Sequence, residues 1–276
     1  MNKFKEFIKK NKLFTAFSII IVLIILVAVF APNIAHYSPY ESNLGNAFLP
    51  PSKEHIFGTD KLGRDIFSRV IYGTRISLTS ALILVISTFL IGTVLGVLAG
   101  YFNGIVDDII MRISDMMISF PGMILAIAMA GIMGSSIKNA IIAIMIVSWT
   151  KYARLTRSLV LKVKNEDYVY AAKVSGGKTI HILVRHIVPN ILPTLIVTAS
   201  TDIGTMILEL AGLSFLGFGA QSPTPEWGLM LNEGRAYMLD SPWLMIYPGL
   251  AICIVVVAFN LLSDSLRDIL DKKEIC

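Results

Sequence analysis

A chain can cross a hydrocarbon layer of about 30 Å as a helix only where about 20 residues in a row are mostly apolar, and this 276-residue sequence is dominated by such runs. The first three carry no charge: Leu13–Ala31, Ile76–Phe102 and Met116–Ile137. A fourth begins at Asn139 and soon meets Lys151, so it is expected to end with Lys151 and Arg154 reaching toward the interface along their aliphatic stems. The fifth, Ile191–Gly219, carries Asp202 and Glu209, and the sixth, Ser241–Ser263, is uncharged. Composition agrees: 55% of the residues are hydrophobic and 16% charged, against about 45–50% and about 25% in soluble chains. The expectation is an all-α, polytopic membrane protein with six transmembrane helices. Residues 1–75 would form an N-terminal segment, first helix and outer segment, and 76–276 the core.

The net charge is +5, but the basic residues flank apolar runs instead of gathering on one water-facing surface, which argues against a nucleic-acid partner. Basic residues resist translocation. Lys3, Lys5, Lys9, Lys10 and Lys12 therefore keep the N-terminus inside. Lys151, Arg154, Arg157, Lys162, Lys164, Lys173, Lys178 and Arg185 do the same for the segment 151–190, and Arg267, Lys272 and Lys273 for the tail. The outer segments are then 32–75, a turn near Lys138, and 220–240. In 32–75 the bases Lys53, Lys61, Arg64, Arg69 and Arg75 are nearly balanced by Glu41, Glu54, Asp60 and Asp65. The first run exceeds the apolar region of a secretion signal and lacks a small-x-small site at Val29–Pro32, so it is expected to be retained. Cys253 lies in an apolar run and Cys276 is terminal, which offers no disulfide framework.

Between the fourth and fifth runs the chain reads NEDYVYAAKVSGGKTIHILVRHIVPNILP from Asn165 to Pro193. Asp167 is placed to cap a helix, and Gly176-Gly177 to stop it. Tyr168, Ala171, Ala172 and Ser175 share one face, with an aromatic anchor beside small residues that permit close approach. Such a face suits docking into a groove. The end of this stretch, Ala172 to Thr179, nearly matches the phosphate loop G-x-x-x-x-G-K-[ST]. That loop needs a buried strand before it and an α/β domain around it, and a loop of about 40 residues is too short for such a domain.

Tyr170-Ala171-Ala172-x3-Gly176, followed by Arg185-His186-Ile187-Val188-Pro189-Asn190, resembles the "EAA" loop of permease subunits of bacterial ABC importers. The likeness is to the dipeptide, oligopeptide and nickel branch, and to the second subunit of its permease pair. Three further stretches resemble the same family. They are Phe57 to Leu78, with Gly58-Thr59-Asp60, Gly63-Arg64-Asp65 and Ser68-Arg69; Arg112-x2-Asp115-x3-Ser119-x-Pro121; and Leu213 to Gly219 with Pro223-Thr224-Pro225-Glu226-Trp227-Gly228. The family often carries glutamate where Tyr170 stands, so the docking helix lacks that charge here. The resemblance implies a type I ABC importer permease fold and a loop that docks on a separate ATPase. It also implies a second, different permease subunit, two ATPase subunits and an extracytoplasmic binding protein in the cytoplasmic membrane of a bacterium. The cargo would be a dipeptide or oligopeptide, with nickel or a metal chelate as the other choice. No catalytic residue, cofactor or metal is expected in this chain.

Other residues carry weaker expectations. Arg64–Ile71 has apolar and charged sides, with Asp60/Arg64 and Asp65/Arg69 four apart, as in a helix lying on the outer membrane face. Asp202 and Glu209 lie on one side of their helix, and each costs at least about 2.5 kcal/mol near mid-membrane unless paired or wetted. They are candidates for the translocation path or its gating, as is Pro121, where the third span can flex. Gly92, Gly96 and Gly100 are spaced for close helix packing, and Gly131 and Gly134 interrupt the third span. The methionines of residues 111–133 read as packing, and His36, His55, His181 and His186 lack the paired spacing of a zinc site. An intramembrane hydrolase would need a nucleophile and base placed together. A proton-coupled secondary transporter would show internal repeats, and a non-transporting scaffold would leave the docking loop without a purpose.

Overall fold

The computed structural model describes residues 11–274. Lys3, Lys5, Lys9 and Lys10, invoked above for orientation, and Cys276 lie outside the described residues. The regular structure described is helical, apart from one isolated bridge between Thr59 and Asp65.

Helix α1 (Lys12–Val29) exposes Leu13, Ile19, Val22, Leu23 and Leu26 and buries only Ile21 and Ala28. It leans on the last helix and on α2. Helix α2 spans Ile66–Phe102, 37 residues, so the expected interfacial helix at 64–71 and the span from Ile76 are in fact one element. Its start is set by Asp65, whose carboxylate accepts the Ser68 N–H at 2.8 Å. Arg64 and Arg69 are not water-facing but 1% and 0% exposed. Of the two expected i,i+4 pairs, Arg64–Asp60 forms at 2.6 Å. Asp65 turns instead to His55 at 3.0 Å, and Arg69 to Glu233 at 2.9 Å. Glu233 also takes Arg64 at 2.9 Å. Stripping one partner from such a buried network costs about 3–5 kcal/mol, because it strands the other charge.

The expected span Met116–Ile137 is broken. Helix α3 (Gly104–Ile118) and helix α4 (Gly122–Met133) meet at 90°. Pro121 causes this, since it cannot donate to a continuing helix. It sits at φ −59°, ψ 122°, and its carbonyl starts α4 by accepting from Ile124 and Leu125.

Helix α5 (Ile137–Val163) starts from Ser136, which accepts the Asn139 N–H, and runs well past Lys151. Its arginines do not simply reach for the interface. Arg157 makes two 2.5 Å bonds to Asp107 of α3, and Arg154 pairs with Ser114 and Asp115. Helix α6 (Asp167–Val174) follows, then α7 (Thr179–Phe215). A π turn at Leu183–Ile187 loosens α7 where Pro189 has no N–H to offer. Helix α8 (Trp227–Gly234) is short, and α9 (Trp243–Glu274) continues beyond its expected end at Ser263. Four helices, α1, α2, α7 and α9, are long and apolar enough to span a membrane, or five spans if α3 and α4 count as one broken crossing. Helix α5 carries five Lys and Arg residues: 138, 151, 154, 157 and 162.

The tightest seam joins α2 to α5. A Cβ on Gly92 would lie 2.5 Å from the Trp149 carbonyl, one on Gly96 2.5 Å from that of Ala153, and one on Gly100 2.8 Å from Val160 Cβ. Gly96→Val should therefore prise the helices apart and lower the melting temperature in detergent by an amount equivalent to about 1–3 kcal/mol. Gly131→Ala meets only Phe218 at 3.6 Å and should be tolerated; equal melting of Gly96→Val and wild type would contradict the seam.

Glu226, 1% exposed, caps α8 by accepting from Gly228 at 2.9 Å and Leu229 at 2.8 Å. Burial pushes its carboxyl above the ordinary glutamate range, opposed by those N–H groups and by the hydroxyls of Ser214 and Ser77. A raised folded-state pKa contributes stability below the unfolded value, and that contribution is lost as pH rises through the folded value. Wild type should thus lose stability relative to Glu226→Gln as pH climbs from about 4.3. A wild-type melting temperature that holds level or rises relative to that of Glu226→Gln as pH climbs would contradict this.

Candidate functional site

The segment between α5 and α7 is shorter than the expected 151–190, because α5 continues to Val163 and α7 begins at Thr179. What remains is a turn, α6, and a second turn. Asp167 is the first helical residue and not the cap. Glu166 holds the cap position at φ −75°, ψ 146°, without a side-chain bond, while the Asp167 charge suits the positive end of the helix dipole. Gly176 ends α6 at φ +78° with open space around it, a conformation L side chains rarely adopt. Gly177 is needed for another reason: a Cβ there would fall 2.7 Å from the Ala172 carbonyl.

Val169, 0% exposed, pins α6 into a cluster with Val160, Ile182, Ile187, Ile191 and Leu195. That leaves Tyr168, Ala171 and Ser175 facing outward, with Ala172 half-buried. Tyr170 and Val174, four residues apart, extend the open face, and Val174 is 86% exposed; their spacing was the available signal. Two lysines tie this helix to the end of α2. Lys164 donates to the Tyr101 carbonyl at 2.6 Å, and Lys173 lies 5.7 Å from the centre of the Tyr101 ring. Burial and the nearby Lys173 push the Lys164 ammonium down, and Asp107 opposes them. The near-match to a phosphate loop follows helix α6 where such a loop requires a strand.

The second region is polar and lies within the helices. Pro121, Asp202 and Glu209, three separate expectations, line one cavity of about 400 Å³ together with Ser148, Lys151 and Thr205. Asp202 is 1% exposed and meets Lys151 Nζ at 2.5 Å. This partner was missed, because Lys151 was expected at the interface; the signal was a base in one span and an acid in the next. A second cavity of about 410 Å³ adjoins it, lined by Lys151, Leu155, Pro193, Thr198, Asp264 and Arg267. Lys151 borders both. Among the described residues no three His, Cys, Asp or Glu side chains converge as a metal site.

Residues 92–275 match the family described as binding-protein-dependent transport system inner membrane component, and residues 6–51 match the N-terminal TM domain of oligopeptide transport permease C. The chain is 47% identical over 270 residues to the dipeptide transport system permease protein DppC of Alkalihalophilus pseudofirmus, covering 98% of this chain and 88% of that protein. It is 43% identical over 253 residues to the nickel transport system permease protein NikC of Escherichia coli K12, covering 92% and 91%. In structure it resembles the MetNI methionine ABC transporter in an inward-facing conformation, with TM-score 0.61 and 18% identity over 74% of this chain and 97% of that one. That likeness concerns the fold alone. The chain belongs to the family of binding-protein-dependent transport system inner membrane components, and is a multi-pass permease subunit of an ABC importer, not an enzyme.

Proposed function

We propose that this permease carries dipeptides or longer peptides across the cytoplasmic membrane as one of two different permease subunits, driven by two ATPase subunits, one of which docks on α6. Nickel or a metal chelate is the second reading, favoured by the 43% identity to a nickel permease. An extracytoplasmic binding protein delivers the cargo.

The observation that carries the coupling role is the state of α6. Its inner side is locked by Val169, and its outer side offers Tyr168, Ala171, Ser175 and the exposed Val174. A short helix held from one side and bare on the other suits insertion into a partner's groove. Its anchorage supports transmission, because Lys164 and Lys173 join it to Tyr101 at the end of α2.

The proposed topology has six crossings. Helix α5 supplies the crossing that hydropathy alone does not credit, since Lys151, Arg154 and Arg157 are matched by Asp202, Asp115 and Asp107. With the start of α1 inside, α6 and the end of α9 are inside too, and 32–65 and 220–240 are outside. The gathering of Lys and Arg on 151–190 supports that orientation.

Ala171→Trp places a bulky ring on the open face without touching Val169. Purified importer carrying it should insert and melt normally but lose ATP-dependent peptide uptake by roughly tenfold, the effect of about 1.4 kcal/mol of lost docking. Undiminished uptake would contradict the docking role. Gly176→Leu should act in the same direction through strain at φ +78°.

A further inference from the structure

Asp202 and Lys151 form an unequal pair. The acid is fixed and 1% exposed, with Oδ1 on Lys151 Nζ at 2.5 Å and Oδ2 buried without a hydrogen-bond partner. The base is long, and its side chain is 57% exposed and borders two cavities. Lys151 can leave Asp202 by rotating its stem into either cavity, while the carboxylate stays walled off from lipid. Glu209 lies seven residues further along α7, half-buried on the same cavity, and makes no hydrogen bond or ion pair with the described residues. The wall therefore holds two carboxylates and one cation. An excess negative charge inside a membrane bundle is costly unless a positive group meets it, and among the residues lining the cavity Lys151 alone is positive.

We infer that this cavity is a transit subsite for a positively charged group of the cargo, with Glu209 as its first contact and Asp202, guarded by Lys151, as its second. The inference rests on the permease reading above and deepens it. A peptide brings an α-ammonium and a metal brings its own charge, and the same two carboxylates answer both. Lys151 acts as a tethered stand-in: it neutralises Asp202 while the path is empty, yields as the cargo's charge arrives, and returns afterwards. The ion pair thereby keeps the resting cavity from trapping cargo, which matters because a carrier must release what it binds.

The test uses the complete importer with its binding protein in proteoliposomes, with radiolabelled dialanine and radiolabelled Ni2+ as separate probes. Glu209→Gln, which keeps shape and removes charge, should lower uptake of the transported probe by roughly tenfold per ATP hydrolysed. The melting temperature and the bound partner permease should be unchanged. Glu209→Asp, which restores the charge, should recover most of the uptake. The affected probe identifies the source of the cationic group. Full uptake of that probe by Glu209→Gln, or loss of uptake together with dissociation of the partner permease, would overturn the inference; the second result would make Glu209 an interface ion-pair residue. If wild type takes up neither probe with ATP, the cargo reading itself fails, and this inference with it.

Discussion

Lipid tails are as apolar as leucine, so helices in a bilayer gain little by hiding apolar side chains from one another and associate through close packing and polar contacts instead. The approach of α2 to α5 is the point where this constraint bears hardest. Gly92, Gly96 and Gly100 form a bare stripe against which Trp149, Ala153, Arg157 and Val160 lie too near for any added carbon. The seam makes α2 and α5 one body. At the Tyr101 end, Lys164 satisfies the last carbonyls of α2 and Lys173 sits over the Tyr101 ring, which ties α6 to the seam. At the opposite end, the buried Arg64, Arg69, Asp60 and Glu233 cluster joins the start of α2 to α8.

The charges divide by what they hold together. The Arg64, Arg69, Asp60 and Glu233 cluster is nearly sealed from water and links distant parts of the chain, which fixes shape at the cost of desolvating four charges. The pairs Arg154–Asp115 and Arg157–Asp107 are wetter and brace α3 against α5. Lys151–Asp202 is mixed, with one partner buried and the other exposed. That pair borders the cavities beside Pro121 and Pro193, where a moving cargo could reach it.

Some of this was legible in the sequence because it depends on neighbours along the chain. Long apolar runs, the short helix with Tyr168, Ala171 and Ser175 on one face, and the stop at Gly176 are local properties, and the structure has them. Partners far apart in sequence were not legible. Arg64 and Arg69 looked water-facing because their acid, Glu233, stands more than 160 residues away, and the span was started at Ile76 because the uncharged run begins after Arg75. Asp202 looked unpaired because Lys151 comes from a different helix 51 residues earlier. Pro121 announced a disturbance, but not the 90° angle, nor that Arg154 and Arg157 of α5 would hold α3.

The central claim is that α6, positioned by the α2–α5 seam, is where the ATPase takes hold of this permease. A photo-crosslinking amino acid in place of Val174, the most exposed large hydrophobic side chain of α6, tests it directly in the assembled importer. Illumination should yield an adduct between this chain and the ATPase subunit. Adducts only with lipid or with the other permease, while the ATPase remains bound elsewhere, would contradict the account.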